Sequence, residues 1–84
     1  MRYEYIEEVT GACRRVMAGL EDLEAMVRRM EGVADEACSS NCFSNEEKRT
    51  FEMVAEIAAM MKRNMNQDNG SLQQAVTRLR RIDS

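Results

Sequence analysis

The hydrophobic positions in the first half of the chain follow an unbroken alternation of three- and four-residue steps. The pattern holds for more than four heptads, and it is typical of the a and d positions of a helix that packs along other helices. A helix through it covers residues 3–38 and would be about 50 Å long. The positions are Ile6, Val9, Cys13, Val16, Leu20, Leu23, Val27, Met30, Ala34 and Ala37.

The other heptad positions make this stripe wider than a two-stranded seam. Such an a/d/g stripe suits a helix with two neighbours, as in a four-helix bundle. The b and c positions carry charged pairs of alternating sign, from Glu7-Glu8 to Asp35-Glu36, which predicts a solvated face. Alternatively, the alternation sets the register against another charged helix. With Ile6 at position a, the g positions are Tyr5, Ala12, Gly19, Met26 and Val33.

A turn is predicted where the first stripe ends. Residues 39–43 follow the last apolar position and are mostly small or polar. Ser44 and Glu47 then have the spacing of a capping box, in which each side chain accepts a hydrogen bond from the backbone N–H of the other residue. The second arm therefore starts at Ser44.

The second arm is predicted to be interrupted. Its first helix covers residues 44–67, and polar residues follow up to Gly70. Ser71 and Gln74 can form a second capping box, so we expect a break near residues 68–70 and a last helix over 71–82. The heptad frame crosses this break with Asp68 as its one misfit; its members are Phe51, Val54, Ala58, Met61, Met65, Leu72, Ala75, Leu79 and Ile82.

These elements predict one all-α domain over residues 1–84. Two arms of about 35 residues joined by a short turn favour an antiparallel helical hairpin with a broken second arm. A chain of 84 residues without proline or tryptophan would leave much of its apolar stripe exposed as a lone hairpin. We therefore expect it to pair into an assembly like a four-helix bundle, with itself or with another helical protein.

Charge and hydropathy limit the partners. The net charge of −3 argues against nucleic acid as a partner, and no apolar run approaches the 18 residues of a membrane span. No signal-peptide pattern is present. We expect a cytoplasmic protein, or one that is secreted without a cleaved signal peptide.

The residue types also bear on chemistry. Histidine is absent, which excludes Ser-His and Cys-His nucleophilic sites and histidine metal ligands. The four glycines are scattered and form no phosphate-binding loop. The carboxylates fall in charged pairs on the outer helix face, where no cleft would shift their pKa values. We expect no enzyme activity, no cofactor and no metal.

The three cysteines have different expected roles. Cys13 lies on the apolar stripe and is expected to act as a small buried hydrophobic residue. Cys38 and Cys42 flank the turn with three residues between them. They either form a disulfide that closes the tip of the hairpin, with a modest gain because the loop is short, or remain two thiols.

Eight methionines suggest either core filling or a deformable surface that packs against a partner helix. Phe43 is the one large apolar residue of the turn and is expected to anchor it by tucking under the tip. Several apolar residues lie beside the a/d frames rather than on them, and we expect them to reach a partner while the a/d seams hold the hairpin together. The candidate partner-binding residues are Met26, Val33, Met53, Ile57 and Met60.

The two equal arms and the aromatic turn resemble the small WXG-type proteins of type VII secretion and the short helical partners of LXG-type toxins. In Cys42-Phe43-Ser44-Asn45, Phe43 takes the place of Trp and Asn45 that of Gly in the Trp-x-Gly motif. The C-terminal stretch 77–84 has no Tyr-x-x-x-Asp/Glu export signal. The resemblance therefore implies an adaptor or targeting chaperone that accompanies a partner.

Two other functions remain open. One is a self-associating homodimeric bundle with a structural or regulatory role, for example a small phage or plasmid regulator. The other is a nucleic-acid-binding bundle in which Arg78, Arg80 and Arg81 would line one face, although a solvated last helical turn also accounts for these arginines.

Overall fold

A computed structural model of the chain contains two long helices joined by a short turn. It describes the backbone of residues 2–83 and the side chains of residues 3–82. Helix α1 spans Arg2–Ser39 and helix α2 spans Asn45–Asp83. They pack antiparallel into a hairpin measuring 61 × 15 × 13 Å, and no strand occurs in the described range. The predicted all-α hairpin is confirmed.

The start of α2 is stabilised by the capping box that the sequence predicted. The backbone N–H of Glu47 donates to Ser44 Oγ at 3.2 Å, and the backbone N–H of Ser44 donates to Glu47 Oε1 at 2.9 Å. This is the reciprocal arrangement of a capping box. At the other end of the turn, the Cys42 N–H donates to Ser40 Oγ at 3.1 Å. The chain therefore leaves α1 and enters α2 through groups that satisfy exposed backbone donors.

The predicted break in the second arm is wrong. Helix α2 continues through Asp68 and Gly70 to Asp83, and no residue of the described backbone, Gly70 included, has a positive φ. A glycine inside a helix costs only about 1 kcal/mol relative to alanine. Buried Met65 and Val76 hold α2 against α1 on both sides of this point, so packing outweighs the weak local preference for a turn.

A narrow core runs along the contact between the helices. Its centre is Val27, Ala58 and Met65, with exposed fractions of 3%, 0% and 6%, and Leu20 and Met61 pack against it. Ala58, a small residue at the centre of this contact, has no exposed surface. Most of the remaining apolar surface is left outside this core.

The predicted a/d seam of α1 is only half correct. Its a positions face α2, as Val27 and Ala34 show by their burial. Along the other edge of the contact, however, the hairpin covers the e positions, such as Met17 and Glu31, instead of the d positions. One antiparallel neighbour cannot cover the whole width of an a/d/g stripe. The d positions Val9, Val16, Leu23 and Met30 are consequently exposed.

Candidate functional site: an exposed apolar face

Exposed apolar residues form a long surface on one side of the hairpin, which we call the apolar face. Its α1 members recur at three- and four-residue steps, the spacing of a second and unpaired heptad seam, and exposed Ala12 and Gly19 fill the gaps in the row. Its α2 members are Met53, Ile57 and Met60. The α1 members are Tyr5, Val9, Val16, Leu23, Met26, Met30 and Val33.

The α1 and α2 parts of the apolar face lie on the same side of the hairpin. Near the turn, Met30 and Val33 line one shallow groove together with Val54 of α2. At 100° per residue, Ile57 follows Val54 around the helix on this side, and Met53 lies beyond it. The apolar face therefore extends across both helices close to the turn.

The opposite side of the hairpin is polar. Lys62 Nζ lies 2.6 Å from Glu31 Oε1 and links the two helices there. Lys48 and Asn69 lie along the same edge and are half-buried. The hairpin as a whole is thus amphipathic, with a polar side and the apolar face.

A row of charged residues borders the apolar face on each helix. The α1 border row consists of the c positions, and its Arg29 lines the groove beside Met26 and Met30. The α2 border row lies just beyond Met53 and Met60 around the helix. Both rows alternate in sign at seven-residue steps. The α1 border row is Glu8, Arg15, Asp22, Arg29 and Glu36, and the α2 border row is Arg49, Glu56 and Arg63.

All five predicted partner-binding residues are exposed in the structure. The exposed fraction is greatest for Met26, at 68%, and smallest for Ile57, at 44%. The sequence-based interpretation missed the d positions of α1, which it assigned to the seam inside the hairpin. The uncharged g positions beside them were the available signal, because a stripe of that width must leave one edge uncovered by a single neighbour.

Phe43 packs at the tip of the hairpin. Its ring lies 4.8 Å from that of Phe51, measured between centroids, with an interplanar angle of 59°. A tilted pair of this kind is a favourable aromatic arrangement. The contact ties the turn to α2, while 37% of the Phe43 surface remains exposed to solvent.

The cysteines are thiols in the structure. Cys38 and Cys42 are free in this structure, and Cys13 is half-buried rather than fully buried. Cys38 Sγ donates to the Lys48 carbonyl oxygen at 3.6 Å. Burial, followed by the nearby carboxylates Glu52 and Asp35, raises the pKa of Cys38 above its usual 9.0, which favours the protonated thiol at neutral pH.

The described part of the chain offers surfaces rather than enclosed sites. Its grooves are shallow, and the one beside Met30 and Val33 is lined mostly by apolar side chains. Residues 3–82 contain no cluster of three or more potential metal ligands. Neither helix, over the described range, is long and apolar enough to cross a membrane.

No model of a known family, no characterised protein and no solved structure matches this chain. Fold and surface alone therefore define its class. It is an amphipathic two-helix hairpin with one apolar face along its length and a charged row on either border of that face.

Proposed function

We propose that the chain is a non-catalytic helical protein-interaction module that binds the helices of a partner through its apolar face. The observation that carries this proposal is the exposed heptad row from Tyr5 to Val33 along α1. Apolar rows at this spacing are stable in water when other helices cover them. The contact is helix against helix, with methionine side chains that can adjust to the opposing surface.

The accessible surface supports the same proposal. The chain exposes 6645 Å², whereas a compact monomer of this mass would expose about 5,100 Å². The excess is therefore about 1,500 Å², compared with about 800 Å² that each partner buries in a standard protein interface. The surface that the hairpin leaves uncovered is large enough for a stable complex.

Two roles fit this class. The WXG-type resemblance, which rests on two equal arms and Phe43 at the turn, supports an adaptor or targeting chaperone that accompanies a secreted helical protein. The alternating charges of the two border rows favour the second role, a self-associating bundle with a structural or regulatory function. In both roles the apolar face is the binding surface.

The test replaces Met53 and Met60 together by lysine. Both residues are exposed in the hairpin, so binding should be lost while the circular-dichroism melt of the diluted hairpin barely changes. Met65→Lys is the matched control, because it buries a charge in the core and should collapse the melt. If the double variant loses its melt as Met65→Lys does, the two methionines belong to the core and the proposal is contradicted.

The role is identified by using the tagged wild-type chain and the double-lysine variant as baits in the source organism. A single larger protein with a long helical N-terminal segment, bound by wild type and lost with the variant, supports the adaptor role. Recovery of only the chain itself supports the self-associating role. Enrichment of nucleic acid would contradict both.

A further inference from the structure

We propose that the occupant of the apolar face is a second copy of this chain. The two hairpins lie face to face around a twofold axis parallel to the helices. Both turns are then at the same end, and α1 of each copy packs on α2 of the other. This inference rests on the proposed function, since it takes the apolar face as the binding surface, and it adds the identity and orientation of the partner.

The hairpin itself shows which residues of α1 and α2 lie at the same level along the long axis. Met30 and Ala34 of α1 line one groove with Phe51 and Val54 of α2, and from this shared groove we place Ala34 at the level of Phe51 and Met30 at the level of Val54. The contact of Cys38 Sγ with the Lys48 carbonyl continues the same register. A twofold axis parallel to the helices moves no residue along their length. Level residues of α1 and α2 therefore also meet between the two copies.

This register brings opposite charges together along the border of the interface. The α1 border row of one copy runs beside the α2 border row of the other, because the axis exchanges the two edges of the apolar face. Both rows repeat every seven residues, so a match at one level is a match at the next. The level pairs are Glu36 with Arg49, Arg29 with Glu56 and Asp22 with Arg63.

The apolar residues match at the same levels. Met26 of one copy is level with Met60 of the other, and Met30 is close to the level of Ile57. The parts of the two helices where the apolar face is widest therefore cover each other. Burial of such side chains is the main favourable term in association, while charges at the rim decide orientation.

The other symmetric arrangement puts the turns at opposite ends and α1 against α1. When the two hairpins overlap along their full length, the α1 border row of one copy runs antiparallel to the same row of the other copy. Glu8 then faces Glu36, Arg15 faces Arg29, and Asp22 faces Asp22 of the other copy. Like charges opposite each other are unfavourable. The charge pattern therefore selects the arrangement with both turns at one end.

The first test exchanges charges without altering the net charge. Asp22→Arg with Arg29→Asp reverses two contacts, each of which occurs twice in the dimer. The exchange should weaken the dimer and raise its dissociation constant by about tenfold or more. Glu56→Arg with Arg63→Glu should do the same. Combining all four substitutions should restore a dissociation constant within about threefold of wild type. Sedimentation equilibrium measures each value.

The chain provides a matched control. Glu21→Arg with Arg28→Glu makes the same exchange at the preceding positions, which line a groove on the other edge of α1. The dimer should be unaffected, and any loss of the 2.7 Å Arg28–Glu24 ion pair appears in the melt and not in the dissociation constant. Equal weakening by the control, or no restoration by the combined variant, would overturn the proposed contact.

The second test measures orientation through exposed Cys42 in the turn. A Cys13→Ala/Cys38→Ala variant carries one spin label per copy on Cys42. With both turns at one end of a bundle whose neighbouring axes are about 10 Å apart, the two labels should be less than about 30 Å apart. A distance near the 61 Å length of the hairpin would overturn the arrangement.

Failure of this inference is distinguishable from failure of the proposed function. A wild-type chain that sediments as a monomer up to its solubility limit overturns the second copy as partner. If that monomer still captures another helical protein, and Met53→Lys with Met60→Lys abolishes the capture, the proposed function stands. If the monomer captures nothing, both are overturned.

Discussion

At the scale of single residues, the turn depends on a few side chains. Ser44 and Glu47 exchange hydrogen bonds at the start of α2, and the rings of Phe43 and Phe51 pack beside them. The hydrogen bonds that Glu47 accepts, first from the Ser44 backbone and then from its side chain, lower the pKa of the Glu47 carboxyl below its usual 4.5. This carboxylate therefore links the stability of the hairpin to pH.

We predict that Glu47→Gln makes part of this pH dependence disappear. Because the pKa of Glu47 is lowered in the folded state, its contribution is fully present above about pH 4.5 and is lost as the pH falls through the lower folded value. The wild type should therefore exceed the variant in Tm most at neutral pH, and the gap should narrow in acid. Glu46→Gln is the matched control, because Glu46 is an exposed neighbour that takes no part in the capping box. Parallel melts between pH 7 and 3 would refute the assignment.

At the scale of the elements, the two helices are defined by how they pack. Helix α2 is continuous at Gly70, where an added methyl group would meet no atom within 4 Å. At the centre of the hairpin, in contrast, Ala58 has no exposed surface. Gly70 thus has room for a larger side chain, whereas Ala58 is fully covered by its neighbours.

We predict that Gly70→Ala stabilises the hairpin by about 1 kcal/mol, since alanine is the better residue inside a helix. Chemical denaturation measures the change. Gly32→Ala is the control within α1, where an added methyl group also meets nothing within 4 Å, and it should give a similar gain. A loss of stability at position 70 alone would indicate that α2 is interrupted there after all.

Ala58→Leu should have the opposite effect. The larger side chain would need space at a position that has no exposed surface, and overpacking of this kind typically costs about 1–3 kcal/mol. Ala25→Leu, at an exposed position of α1, should change the free energy of unfolding little. Denaturant titration of both variants compares them, and equal stability would contradict tight packing around Ala58.

At the scale of the whole molecule, the hairpin is an elongated object with one uncovered side. Leu20 packs against the core, whereas Leu23, three residues later in the predicted seam, lies on the apolar face. We therefore expect Leu20 to serve the folding of the hairpin and Leu23 to serve its association.

We predict that Leu20→Asp unfolds the hairpin, because it places a charge against the core without a partner. Leu23→Asp should leave a folded hairpin that no longer associates, and its melt should become independent of protein concentration. Circular dichroism and sedimentation of the two variants make the comparison. If Leu23→Asp also unfolds the chain at high dilution, the apolar face is needed for the hairpin itself.

The sequence by itself determined the helices, the turn and the rows of the surface. Heptad spacing places apolar and charged residues on definite sides of a helix whatever it packs against, and the Ser44–Glu47 box is a local interaction that needs no tertiary contact. The exposed residues Met26 and Met53 could therefore be predicted as binding candidates.

Only the tertiary structure decided which edge of the apolar stripe is covered and whether α2 is continuous. The stripe of α1 is wider than one neighbouring helix, so its spacing is compatible with contact along either edge. The hairpin covers the edge where Glu31 meets Lys62 and exposes the edge with Leu23 and Met30. Helix α2 passes Gly70 for a related reason, because packing against α1 on both sides outweighs a local preference of about 1 kcal/mol.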